Sequence, residues 1–397
     1  MISRRLVATA ASALLLAVAA PAAAQQRAPG LAPAPDSVEG GLWGLMARTE
    51  EDALHSADLN PDPALTEYVR GVACRVADEY CGDIRVYVMD RPYLQASMAP
   101  NGYMEVWSGL LLRAESEAQL AFVLGHELGH FIENHSLERW NTQKTWATAA
   151  MVISVGAGVA GAYYGVDLSG VGDIAYLAAA SSIMSYSRGQ EFEADVIGFE
   201  RMVEAGLEPT AAAAIWRQQQ AERRFSSFRS VRESEAMGSV FRTHPLTADR
   251  IAALDALAAD RPGGREERER YRAAIRPHLA EWLAQDLARR DFGSSLALAD
   301  RLARDGLDLG VVEFHRGQIF RQRREQGDLE KARDAYGASV LHSDAPEAAW
   351  RELGDLERRL GNPDAAREAW TAYLDLAPSA DDRWIVEDSL TALKAES

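Results

Sequence analysis

His126-Glu127-Leu128-Gly129-His130 sets two imidazoles four residues apart, with a carboxylate beside the first. That spacing has a consequence only on a helix, and the neighbouring residues supply one. Ser116 followed by Gln119 is a capping-box signature, and the apolar residues after it recur with helical period. The stretch therefore predicts an amphipathic helix from residue 116 to about 135. Positions i and i+4 share one face of a helix, so both rings point the same way. The fold has to bring a further group to that face.

Two imidazoles so placed can grip one metal ion, and His-Glu-x-x-His is a zinc-binding pattern. Glu127 stands where it can act as a general base toward a water at the metal. The third ligand sets the subtype. One long form of the motif needs glycine three residues past His130 and histidine six past it. Glu133 and Ser136 occupy those places, which excludes that form. His135 falls a little off the ligand face and reads as a surface histidine or a neighbour of the site. Downstream, Ser187-Arg188-Gly189-Gln190-Glu191-Phe192-Glu193-Ala194-Asp195 lies on a second expected helix, running from about Ile174 to Glu204. Glu191 and Asp195 share a face there, while Glu193 points away. Glu191 can supply a carboxylate ligand, and Asp195 can accept the free N–H of a ligand imidazole. The alternative for these acids is a solvated helix face.

The N-terminus has the layout of a secretory signal. Arg4 and Arg5 precede an apolar stretch, and Ala22-Ala23-Ala24 offers a small-residue cleavage site before Gln25. Export would place Cys74 and Cys81 in an oxidising compartment. They either form a disulfide, with Gly82 ending the helix over 65–79 to bring them together, or remain two buried thiols. The chain carries 59 acidic against 42 basic residues, a formal charge of −17, which excludes broad nucleic-acid binding. Residues 25–36, rich in Pro, Ala and Gln, read as a flexible lead-in. Residues 84–89 alternate like a half-buried strand and 103–107 can pair with them, after turn chemistry at Asn101-Gly102. The uncharged segment 145–166 is long enough to span a membrane, yet its Ala and Gly content favours a buried or interfacial hairpin.

Past a Pro-Gly-Gly boundary at 259–270 the chain becomes helical and repetitive. Ala332-Arg333-Asp334-Ala335-Tyr336 recurs 34 residues later as Ala366-Arg367-Glu368-Ala369-Trp370. With Trp350, Leu353, Gly354 and Pro378, the second copy matches the tetratricopeptide pattern, and Gly317, Phe320 and Ala332 make a looser first copy. Such repeats present protein-binding surfaces.

The two motif stretches resemble the gluzincin family that includes HtpX-type heat-shock proteases and the CAAX prenyl proteases. Signal, catalytic region and C-terminal repeats together are most similar to BepA-like periplasmic metalloproteases. The resemblance implies that His126, His130 and Glu191 bind one zinc ion, that Glu127 is catalytic and that Asp195 supports a ligand. It extends less firmly to Thr243-His244-Pro245, followed by Arg250. There His244 either stabilises the oxyanion, or holds the zinc position closed, or merely starts a helix. Residues 98–107 match the family's strand beside the cleft, to which a substrate adds as a further strand. Gln95-Ala96-Ser97 stands where relatives often have Asn-Ala-Phe, which bears on substrate preference.

The expected fold is mainly α (α+β): a zincin-type helical metalloprotease domain with a small sheet, then an α-solenoid of tetratricopeptide repeats. The expected divisions are a signal peptide (1–24), a lead-in (25–60), the metalloprotease domain (61–258), a linker (259–270) and the repeats (271–397). The expected activity is endoproteolysis of unfolded or misassembled envelope proteins in the periplasm, with outer-membrane assembly machinery as a partner of the repeats. Two alternatives stand beside it. One is a chaperone or assembly scaffold with gated proteolysis, and the other is an integral membrane protease anchored through 145–166.

Overall fold

The computed structural model describes residues 26–142, 186–233 and 248–396. The expected signal peptide, the apolar segment 145–166, the stretch 174–185 and His244 lie outside the described residues. Among the described residues no helix is long and apolar enough to cross a membrane.

Helix α1 (Val38–Leu54) starts at Ser37, whose Oγ accepts from Gly40 N. Helix α2 (Pro63–Ala77) starts at Asp62, with Pro63 in its first turn where its missing N–H costs nothing. It stops two residues earlier than its periodicity suggests, because Asp78 takes a left-handed φ of 48°. The chain then tightens into a 3-10 turn, Asp78–Asp83, and Cys74 and Cys81 are bonded with their Cα atoms 4.7 Å apart. Asp78 rather than Gly82 makes the break that lets them meet.

Strands β1 (Arg85–Met89), β2 (Ala96–Met98) and β3 (Tyr103–Trp107) form one sheet in the order β1-β3-β2. β3 runs parallel to β1 and antiparallel to β2. Gly102 must be glycine here: its φ is 86°, and a Cβ would lie 1.9 Å from the Asp83 carbonyl oxygen. Because β3 is paired on both sides, it offers no edge to a further strand. The edge nearest the motif helix is β2.

Helices α3 (Ser108–Arg113), α4 (Glu117–Ile132) and α5 (His135–Thr142) follow. After the undescribed segment come α6 (Arg188–Glu204), α7 (Ala211–Arg224), α8 (Arg229–Glu233) and α9 (Ala248–Ala258). α4 carries the motif. Every residue in it is buried, because α2, β2, α6, α7 and a later helix surround it. The expected amphipathic helix is thus a central one. The expected cap is half right: Ser116 Oγ accepts from Gln119 N, but the Gln119 side chain accepts from Glu115 N rather than closing on Ser116.

The remaining helices are α10 (Arg268–Ile275), α11 (Leu279–Ala288), α12 (Phe292–Leu302), α13 (Leu309–Arg323), α14 (Asp328–Ser339), α15 (Ala348–Arg359), α16 (Pro363–Leu376) and α17 (Arg383–Glu396). One apolar core runs without interruption from Leu65 in α2 to Val312 in α13, through Tyr271, Ile275, Trp282 and Leu298. A buried ionic cluster crosses the same region. Arg113 of α3 donates to Glu222 of α7 (2.8 Å) and to Asp286 of α11 (2.6 Å), while Arg301 of α12 lies 3.4 Å from Glu222. Beyond it, α13 with α14 and α15 with α16 form successive hairpins. In the first the Tyr336 ring lies on Gly317, and in the second the Trp370 ring lies on Gly354. A methyl group at either glycine would come within 2.4 Å of the ring.

The residues before α1 depart from the flexible lead-in. Arg27 is buried: its N–H donates to Ile132 O (2.8 Å), and its guanidinium reaches Glu39 and Asn134 over the Phe131 ring. Gln26 donates to Glu133. This strap fastens the first described residues to the end of α4.

Candidate active site

Helices α4 and α6 cross at almost backbone contact. A Cβ on Gly125 would come 3.0 Å from Gly198 Cα, one on Gly129 would come 2.9 Å from Ala194 Cα, and one on Gly198 would come 2.6 Å from His126 N. Only small residues at i and i+4 on both helices permit this approach. It is what lets side chains of α4 and α6 converge. α6 is capped by Ser187, in a full capping box with Gln190, so within the described residues the expected second helix starts at Arg188.

At the crossing, His126, His130 and Glu191 bring together one donor atom each, all within 4.8 Å, and all three residues are buried. The two Nε2 atoms are 3.1 Å apart; Glu191 Oε2 is 3.6 Å from His126 Nε2 and Oε1 is 3.7 Å from His130 Nε2. Ligands about 2.0–2.1 Å from a tetrahedral ion stand about 3.3 Å from one another. The donor set and its spacing therefore fit one such ion. Glu127, beside the first imidazole, is buried within electrostatic reach of Arg250.

Each donor is held from behind. Asp195 Oδ1 lies 2.9 Å from His126 Nδ1, the contact its place one turn after Glu191 suggests. Arg250 of α9 donates to both Asp195 oxygens (2.7 Å each) and to Glu191 Oε2 (2.6 Å). Burial alone would raise the Asp195 carboxyl, but Arg250 and His126 hold it below its ordinary range. The same carboxylates outweigh burial at Arg250 and keep its guanidinium charged. His130 stacks on the Tyr186 ring, with centroids 3.7 Å apart, and the Tyr186 hydroxyl pairs with Ser136.

Of the two readings of His135, on the surface or beside the site, the second holds: it is buried, with Nδ1 2.8 Å from His130 Nδ1. Burial pulls its imidazole below the ordinary range, opposed by Glu193. Glu193 does leave the Glu191–Asp195 face, as expected, and its Oε2 lies 3.3 Å from His135 Nε2. Sequence reasoning assigned no role to Arg250 or Tyr186. The resemblance did reach Arg250, after Thr243-His244-Pro245, without giving it a function, whereas Tyr186 carries no such signal.

Residues 60–258, which contain all of these groups, match the model of peptidase family M48. The chain belongs to that family. It is 29% identical over 186 residues to the mitochondrial metalloendopeptidase OMA1 of Schizosaccharomyces pombe, covering 47% of this chain and 50% of the relative. It is 28% identical over 169 residues to the beta-barrel assembly-enhancing protease of Yersinia pestis, covering 39% and 33%. To the protein of that name from Escherichia coli (strain K12) it is 25% identical over 207 residues, covering 50% and 39%. The chain spans half or less of the length of these relatives. The residues matched by the family thus include three buried donors, His126, His130 and Glu191, that fit one metal ion.

Proposed function

We propose that this M48 protein is a zinc-dependent endopeptidase, exported to the periplasm by its N-terminal signal, that cleaves unfolded or misassembled envelope proteins. The observation that carries the reading is the convergence of His126, His130 and Glu191 from two crossing helices, with Glu127 beside them and Asp195 and Arg250 behind. Bound there, zinc would supply a Lewis acid and acidify a water toward a pKa of about 7. Glu127 takes the proton of the attacking water and passes it to the leaving amine. Asp195 keeps the His126 ring turned toward the metal, and Arg250 fixes the Glu191 carboxylate. His244 is a further donor for the developing oxyanion.

Two features extend the reading to a substrate class. The β2 edge lies against α4 and suits an extended segment held by backbone hydrogen bonds, which are blind to sequence. Two relatives carry names that refer to β-barrel assembly. In this reading residues 61–258 are the catalytic part. Residues 271–397 are tetratricopeptide repeats that dock a partner in outer-membrane protein quality control.

The test is casein cleavage by protein purified without its signal, wild type beside Glu127→Gln. Glu127→Gln is expected to retain zinc and to lose about 10²–10⁴-fold in rate. Equal cleavage by both would overturn the role of Glu127. Cleavage by neither would favour a scaffold or a site closed by His244, and His244→Ala separates those two by restoring activity only in the closed case.

A further inference from the structure

The imidazole of His130 can present a lone pair at Nε2 only when its hydrogen is on Nδ1. That choice is made by whatever Nδ1 faces. At His126 the partner is a carboxylate, Asp195, whose acceptor character leaves no ambiguity. At His130 the partner is another imidazole nitrogen, His135 Nδ1 at 2.8 Å, and only one of the two atoms can carry the hydrogen between them. If it sat on His135, the His130 hydrogen would move to Nε2, among the donor atoms of His126 and Glu191. Glu193 removes that option. Its carboxylate lies 3.3 Å from His135 Nε2 and accepts a hydrogen there, so His135 Nδ1 is left as the acceptor. The order runs from a carboxylate on the rim through one buried ring to the next: Glu193 accepts from His135, which accepts from His130. Tyr186, stacked on the His130 ring, fixes the plane in which this bond forms.

We propose that His135 is a positioning residue for His130, set by Glu193. It is an indirect counterpart of the Asp195–His126 contact on the other ligand. The proposal rests on reading His126, His130 and Glu191 as metal ligands. It adds a route by which a carboxylate, Glu193, sets the hydrogen of His130 through the ring between them. Glu193 keeps its charged end in water, with the side chain 55% exposed, while the two rings beneath it are buried.

The test is zinc affinity, measured by competition with a chromophoric chelator, for wild type, His135→Phe, His135→Asn and Glu193→Ala. Phe keeps a ring of similar bulk but cannot accept a hydrogen bond, whereas Asn places an acceptor oxygen near the position of Nδ1. His135→Phe is expected to weaken zinc binding by about 10–100-fold, the usual effect of losing a ligand's partner. His135→Asn is expected to recover most of that loss, and Glu193→Ala to lose less than Phe. Should His135→Phe not fold, the exposed Glu193→Ala change carries the test by itself. Wild-type affinity in His135→Phe or in Glu193→Ala would overturn the proposal, as would an equal loss in Asn and Phe, which would mean packing alone. A wild type that takes up no zinc would overturn the ligand assignment itself and the relay with it.

Discussion

Arg250 sets one guanidinium against two carboxylates, Asp195 and Glu191, in a setting with almost no water. Removing one member of a buried charged set costs more than making the set contributed, because the partners remain buried and charged. Arg250→Met is therefore expected to destabilise the protein by about 3–5 kcal/mol, read as a fall in the urea midpoint. His315 makes a different case. It is buried in α13, its Nε2 lacks a hydrogen-bond partner, and burial holds its imidazole down to about 4. An unfolded histidine titrates near 6.5, so below that pH the unfolded chain binds a proton that the folded one refuses. This contribution, about 3 kcal/mol, is present above pH 6.5 and disappears as pH falls toward 4. Urea midpoints measured across that window should fall less in His315→Leu than in wild type. At this scale the motif residues were legible because their spacing encodes a shared helical face. Arg250 was marked only by the resemblance, without its contacts, and Tyr186 not at all, since each meets the site only through tertiary packing.

The crossing of α4 and α6 turns on single atoms of bulk. Gly198→Ala would put a methyl group 2.6 Å from His126 N, whereas Gly189→Ala, in the first turn of the same helix, meets only Ser187 Oγ at 4.0 Å. The expected pair of outcomes is a loss of about 1–3 kcal/mol with weakened metal binding for Gly198→Ala. Gly189→Ala should be neutral or stabilising by up to about 1 kcal/mol. Thermal melts and chelator competition on both variants check this. The sequence did hold a signal for the crossing. Gly125 and Gly129 stand four apart in α4, Ala194 and Gly198 four apart in α6, and small residues at that spacing let backbones touch. Helix boundaries were read less well, since Asp78 and Ser187 end or start helices through local geometry that apolar period does not register.

Over the whole molecule, the segment that matches the family and the unit that packs together differ in extent. The match ends at residue 258, while the apolar core continues to Val312 and the Arg113–Glu222–Asp286–Arg301 cluster crosses the boundary. A chain ending at 258 would expose the core partners of Tyr271 and Trp282 and leave Arg113 buried without Asp286. It is expected to melt without cooperativity and to bind a hydrophobic dye, as checked by near-ultraviolet circular dichroism and dye fluorescence. The 34-residue repeat was visible in sequence because it repeats; this junction was not, because its charges pair across long separations. Arg250 and Asp195 are 55 residues apart, and Arg113 and Asp286 are 173 apart. Contacts of that range carry a large loop-closure cost and are expected to close late. An ion that needs α4, α6 and α9 already in place has little to hold in the folding transition state. Metal binding should thus lengthen the lifetime of the native protein by slowing its unfolding, while refolding proceeds at the same speed with or without it.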